Sequence, residues 1–341
     1  MRKIIFTVSI ILFSLSIKAQ TQVVNAKKDK NSTISSISYS LPKNVLQIRF
    51  VIKHDIYKAG KFADSTSKYF GKEADIKADK DEWSIDKTEV NVDAIPDNTQ
   101  IYNVYAPVSS VACLLSLTPD GILRGVNLDV IKQTIVDSNP NKDKISDAVL
   151  TPKTSESSKP TLLSAKTPAD AYESLSKLQN ERMSMLLQEE DALDGKAVQT
   201  YLSEIEKQEK SLYSLFNGDK ISTEEQKNIS YTPDKEVNDF ELCRFNSESG
   251  FQKDGTPITI SIHRTRSMAS SVNESVPTGF IYRQPAYVSV LIKMGSDILY
   301  SANLNVAQLG SLNSLPVKFF EKGDKKAEFD TSTGALIQLT K

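Results

Sequence analysis

Cysteine, histidine and tryptophan are nearly absent from this 341-residue chain: it has two Cys, two His and one Trp. Two cysteines exclude a disulfide-dense scaffold and a four-cysteine zinc site. Two histidines exclude a histidine-rich metal centre. No two glycines stand one residue apart. The nearest pair, Gly121 and Gly125, flanks a predicted strand instead of opening a helix, so there is no phosphate-cradling loop and no nucleotide is expected. An excess of one charge is missing too. Lys+Arg 42 against Asp+Glu 43 leaves a net charge of −1, and only eight of the basic residues are Arg. Nucleic-acid binders are usually basic, so no nucleic-acid partner is expected. Beyond residue 17 no apolar run approaches the ~20 residues of a bilayer span. What is present is ordinary globular material, somewhat polar, with 39% hydrophobic and 25% charged residues. That excludes a polytopic membrane protein, a collagen and a fully disordered chain.

The first 19 residues have the form of a secretory signal. Arg2 and Lys3 precede an apolar stretch from Ile4 to Ile17, and Lys18 and Ala19 lead into polar sequence at Gln20. Cleavage is expected after Ala19. Loss of Arg2, Lys3 and Lys18 changes the net charge from −1 by −3 to −4. The mature protein is expected in the periplasm or outside the cell, with no transmembrane span.

Residues 20–38 read as a polar leader, and residues 39–136 as a β-rich domain. Strands are predicted at Val45 to Ile52, Trp83 to Val92 and Ile101 to Val108, with a hairpin turning at Thr118 to Gly121. Lys58 to Gly71 is predicted as a short helix. Residues 137–166, rich in Ser, Thr, Pro, Asn and Lys, form a linker. The period changes at 167–218. Thr167, Pro168 and Asp170 give a helix start, apolar residues recur near every 3.5 positions, and Asn217-Gly218 gives a stop. Two such helices, turning at Leu193–Asp194, make an antiparallel hairpin with coiled-coil-like packing. Each seam has a polar gap, and reflection about the turn sets Arg182 beside Glu206 or Glu209, a solvated pair worth ~0–1 kcal/mol. Residues 219–341 return to short strands: Glu241 to Phe245, Ile258 to His263, Gly279 to Tyr282, Tyr287 to Ile292, Ile298 to Leu304, Val317 to Phe320, Ala327 to Phe329 and Ala335 to Leu339. The expected class is α+β, mostly antiparallel β, with two β-rich, sandwich-like parts and an inserted antiparallel helical hairpin.

Several segments resemble a family of exported Bacteroidetes proteins classed only as a domain of unknown function. They are Tyr39-Ser40-Leu41-Pro42, Lys68-Tyr69-Phe70-Gly71, Leu215-Phe216-Asn217-Gly218, Tyr282-Arg283-Gln284-Pro285-Ala286, Gln308-Leu309-Gly310, Leu315-Pro316 and Phe329-Asp330 through Thr333-Gly334-Ala335-Leu336. The resemblance implies an envelope or secreted protein and carries over no catalytic residue.

Candidate chemistry is sparse. There is no H-E-x-x-H and no G-x-S-x-G, and the acids Glu189, Glu190, Asp191 and Asp194 lack calcium-loop spacing, so no metal, cofactor or catalytic residue is assigned. His54 and His263 read as strand-end or loop histidines, and Trp83 as a core anchor. Cys113 and Cys243 read as small buried hydrophobes. The alternative, a Cys113–Cys243 disulfide in an oxidising compartment, needs Cα atoms within ~7 Å. Tyr282 and Arg283 are the candidate binding residues, since both types are enriched at interface hot spots. Their structural reading is a strand lead-in in which Pro285 limits the edge ladder and Arg283 caps or pairs structurally. The function expected is a non-catalytic binding or assembly module with an envelope protein partner. The alternative is an exported hydrolase acting on glycan or peptide. A deep pocket lined by two or more of His54, Asp55, Trp83, Glu241 and His263 would favour the enzyme.

Overall fold

Four long strands organise the chain, and their ladders shift register where proline stands in them. The structure is a computed structural model that describes residues 21–29, 36–105, 115–128, 165–187, 195–265 and 279–340. Strands β2 (Ile37–Lys58), β3 (Lys80–Tyr105), β9 (Phe280–Met294) and β10 (Asp297–Leu315) far exceed the usual ~5–6 residues. The sequence pattern breaks β3 and β9 into two strands apiece, because proline interrupts the ladder. In the structure each runs through. Pro42 of β2 pairs opposite Pro96 of β3, next to a register shift at Ser40/Pro42. Pro285 of β9 faces a bulge in β10, where the register jumps from Val306↔Ala286 to Ser311↔Gln284. A proline has no N–H to give to the ladder, so each break falls where no bond is lost.

All strand pairs are antiparallel and form three sheets: β1-β3-β2-β6, β10-β9-β8-β7 and β12-β11-β5-β4. The shorter strands are β1 (Gln22–Asn25), β4 (Leu115–Leu117), β5 (Leu123–Val126), β6 (Asp219–Tyr231), β7 (Val237–Phe245), β8 (Thr256–Arg264), β11 (Lys326–Phe329) and β12 (Leu336–Thr340). The two β-rich stretches of sequence share sheets: β6 pairs with β2, and β11 pairs with β5. The first two sheets face each other as a sandwich. Alternating residues Leu46, Ile48, Phe50 and Ile52 of β2 meet Ile258, Ile260 and Ile262 of β8 and Val288, Val290 and Ile292 of β9 in one buried cluster. Beyond the prolines the same long strands enter a second cluster. There Tyr39 and Leu41 of β2, Tyr102 and Val104 of β3, and Phe280 and Ile281 of β9 pack on Leu123, Val126, Ala327 and Phe329 of the third sheet. We call the level between the two cores the waist.

The helical hairpin sits at the other end of the sandwich. It consists of α2 (Pro168–Leu186) and α3 (Gly195–Asn217). Thr167 caps α2 in a reciprocal box with Asp170, and Pro168 takes the first turn, as the sequence predicts. Phe216 packs on Phe62 and Ala171, ringed by Tyr69 and Phe70. The β2–β3 connection satisfies the last carbonyls of α3: Phe62 N donates to Leu215 O at 2.7 Å, Thr66 Oγ1 to Phe216 O at 2.8 Å and Ile76 N to Asn217 O at 3.1 Å.

Four local expectations change. The helix expected over 58–71 contracts to a 3-10 turn and α1 (Thr66–Phe70). Val317–Phe319, expected as strand, is a 3-10 turn following Pro316, whose ring stops the ladder. Gln22–Asn25, inside the expected leader, pairs with the end of β3. Strand β6 was not visible in the sequence, because nearly every side chain in it is exposed and no alternation marks it. The signal segment, Cys113, Arg266, the acids at 189–194 and nearly all of the expected linker lie outside the described residues.

Candidate functional site

At the waist, polar side chains are buried and bonded to one another. Asn44 is 0% exposed. Its backbone N donates to Gln308 Oε1 at 2.9 Å, and Gln308 Nε2 donates back to Asn44 O at 2.8 Å. Ala307 N donates to Asn44 Oδ1 at 2.7 Å, and Asn44 Nδ2 donates to Ser332 O at 2.8 Å. One asparagine thus ties β2 to the bulge of β10 and to the β11–β12 turn. A Cβ at Gly310 would stand 1.8 Å from Gln284 O, so the bulge can close on β9 only with glycine there. The turn ends at Gly334, with φ +76, whose carbonyl accepts from Arg283 N at 3.1 Å. Above this, Tyr39 Oη accepts from Ile281 N at 2.8 Å and donates to Ile281 O at 3.2 Å.

Arg283 and Tyr282, the candidate binding pair, lie in the same layer. Arg283 is 5% exposed, and its guanidinium forms an ion pair with Asp97, 4% exposed. Tyr282 is half-buried, with its ring 5.5 Å from that of Phe329. Burial pushes the Asp97 carboxyl up. Donation from Thr99 Oγ1 and N at 2.6 and 2.8 Å, with the charges of Arg283 and Lys43, outweighs burial and leaves its pKa below the ordinary carboxylate value. Burial lowers the Arg283 pKa against the pull of Asp97, but a guanidinium keeps its charge at neutral pH.

The end of the sandwich away from the waist is the one from which the β2–β3 connection reaches the helical hairpin. Trp83 of β3 lies there, stacked on His54 across the β2–β3 ladder with ring centroids 3.8 Å apart. His54 Nε2 contacts Asp81. Trp83 N donates to Ser247 O at 2.7 Å, which anchors the β7–β8 loop. A cavity of about 510 Å³ opens beside the indole. Ile85, Phe245, Met294 and Leu299 line it together with Asp254 and Asp297.

A family model described as Domain of unknown function (DUF4831) matches residues 35–337. The chain belongs to the DUF4831 family. Searches of curated proteins and of solved structures found no match. Four of the seven segments by which the sequence resembles a family converge in this DUF4831 domain, while Lys68–Gly71 and Leu215–Gly218 pack together at the helical hairpin. Tyr39–Pro42, Tyr282–Ala286, Gln308–Gly310 and Asp330–Gly334 all meet at the waist, although Tyr39 and Gly334 stand 295 residues apart in sequence.

The other singled-out residues are dispersed over the DUF4831 domain. Arg182 Nε lies 3.3 Å from Glu209 Oε1, with the Glu209 side chain 12% exposed, while Glu206 is exposed and pairs with no cation among the described residues. The Arg182–Glu209 contact lacks hydrogen-bond alignment, and Glu209 Oε1 has no such bond. Cys243 lines a shallow depression with Lys227, Glu241 and Phe251. Burial pushes its thiol up to about 11 against the opposing pull of Lys227, so it stays protonated at neutral pH. Trp83 and Glu241 line different cavities. Asp55 is tied to Ser222 Oγ at 2.6 Å and Lys220 Nζ at 2.9 Å, and these bonds lower its pKa. His263 is exposed near the end of β8. Among the described residues no three His, Cys, Asp or Glu side chains are grouped to hold a metal, and no helix is long and apolar enough to cross a membrane. Sequence reasoning missed Asp97, Asn44 and Asp254. Their roles depend on contacts between distant strands, and no local signal marks them.

Proposed function

We propose that the chain is exported and works as a non-catalytic binding or assembly module, with another protein of the cell envelope as its partner. One observation carries this reading: at the waist, the polar side chains of the family-like segments bond inward. Arg283 is committed to Asp97, Tyr39 to Ile281 and Gln308 to Asn44. Groups consumed by the scaffold are not offered to a substrate, so recognition falls to the outer surfaces and the end of the sandwich away from the waist. Export is inferred from the Met1–Ala19 segment, with its basic start and apolar middle. The test is cross-linking in intact source cells followed by recovery of the tagged, full-length chain. A specific envelope protein should be recovered in stoichiometric yield. Recovery of the chain alone would reject the module reading.

The second reading, an exported hydrolase acting on glycan or peptide, draws on Asp254 and Asp297 standing in one cavity with Trp83. Release of reducing sugar or of peptide from envelope material, abolished by Asp254→Asn, would favour it over the module.

A further inference from the structure

Among the described residues the three sheets end in β1, β6, β7, β10, β4 and β12, and all of these edges but β6 are short or irregular. β1, β4 and β12 have four, three and five residues. β7 and β10 are longer, but the ladder of each shifts register twice, and β7 passes through Asp239 at φ +46. Short or bulged edges resist the addition of a further strand. β6 has neither device. Its 13 residues pair with β2 from Asp219 to Tyr231 without a shift, and it holds no proline. Its side chains are exposed over residues 219–228. Among the described residues its backbone makes one hydrogen bond outside the ladder to β2, from Lys220 N to the neighbouring Asp219 Oδ1 at 3.0 Å.

An edge of this kind pairs with an extended segment, and the side chains decide which one. Two copies of β6 related by a two-fold axis run antiparallel. The axis brings together residues with the same outward bonding, so facing residues differ in number by an even count and one residue faces itself. Centring on Gln226 sets Glu225 opposite Lys227 of the second copy, and symmetry repeats the contact. On the same face Thr223 meets Ile229 and Ile221 meets Tyr231. On the other face Ser222 meets Ser230 and Glu224 meets Asn228. No like charges are opposed. Moving the centre by one residue sets Glu225 or Lys227 against itself, and like charges directly opposite are destabilising. The charges thus select one register. That register also uses groups the single chain leaves idle. Neither Glu225 nor Lys227 forms an ion pair among the described residues. The exposed Ile221 is brought to Tyr231, whose ring lies 5.2 Å from that of the exposed Phe240.

We propose that β6 is a self-association edge: two copies of the chain join through residues 221–231 about a two-fold axis at Gln226, fusing two four-stranded sheets into one of eight strands. The inference stands apart from the module reading, because the partner is the chain itself.

The full mature chain is sedimented over a dilution series. It should move as a dimer that dissociates on dilution. Each contact occurs twice, so Glu225→Lys or Lys227→Glu should raise the dissociation constant about tenfold or more. Glu225→Lys/Lys227→Glu restores opposite charges and should return it to within about threefold of wild type, a recovery that a role in folding alone would not give. Gln226→Cys reads the register without altering a charge. Mild oxidation should join the introduced thiols of two copies, a bond that cannot form within one chain, while Asn228→Cys, which faces Glu224 of the second copy, should give no such bond. The cysteine variants decide the matter if a charge variant does not fold. A wild type that is monomeric at every concentration overturns the proposal. So do single reversals that leave the dissociation constant unchanged, a double reversal no tighter than the single ones, or equal oxidation of the two cysteine variants.

Discussion

Asp97 and Arg283 show most directly how the waist is held. A guanidinium buried to 5% exposure needs a countercharge, because an unpaired buried ion is far more costly than a lost surface bond. Asp97→Asn keeps the oxygen that accepts from Thr99 and removes only the charge facing Arg283. It should destabilise the protein by about 3–5 kcal/mol at pH 7, read by urea unfolding. The sign of the pH dependence follows from the lowered folded pKa of Asp97. Stability from the carboxylate is present above its unfolded value of ~3.9 and is lost as the pH falls through the lower folded value. The gap between wild type and Asp97→Asn should therefore be full at neutral pH and close at the acid end. Equal stabilities at pH 7 would show that the pair contributes nothing. Of this pair the sequence offered only Arg283, as a residue with both a binding and a pairing role open. Asp97 sits in an unremarkable Pro-Asp-Asn stretch, and only the register of β3 against β2 and the contact of that sheet with β9 bring it to the guanidinium.

At the scale of elements, the ladders of the long strands shift register where proline and glycine allow it. The β10 bulge sets residues Ala307–Gly310 against Pro285, which has no N–H to lose. A Cβ on Gly310 would collide with Gln284 backbone, which cannot swing aside as a flexible side chain would. Gly310→Ala should thus destabilise by at least ~2 kcal/mol in thermal or urea unfolding. Gly323→Ala, whose Cβ meets nothing within 4 Å, should lose only about 1 kcal/mol, from its positive φ of 73°. Equal losses at the two sites would contradict the close approach. Elements with one buried face were legible: Ile258, Ile260 and Ile262 alternate, and the Thr167-Pro168-Asp170 start marks α2. Strand β6 was not. It is an edge held by its ladder to β2, exposed on both faces over residues 219–228 and packed on the core only through Ile229 and Tyr231, so neither period 2 nor apolar content reveals it. The stack of His54 on Trp83 was hidden for a related reason, since a cross-strand pair exists only once the register is known.

The whole molecule carries two hydrophobic cores on a shared set of strands. The sequence suggested two β-rich parts separated by a hairpin. The class is right, and the strand pairing adds that the parts interleave, with β6 completing a sheet begun by β2 and β11 completing one begun by β5. Four long strands cross the waist, and the Asn44–Gln308 and Asp97–Arg283 contacts cross-brace it. The central claim is that the segments characteristic of the chain weld two cores into one cooperative unit, leaving recognition to the outside. Native-state hydrogen exchange across a denaturant series tests this most directly. The slowest amides of Ile258–Ile262 and Val288–Ile292 report on one core, and those of Leu123–Val126 and Ala327–Phe329 on the other. The account predicts that both sets converge on one opening free energy in wild type and that Asn44→Ala separates them. Two different opening energies in wild type would contradict it.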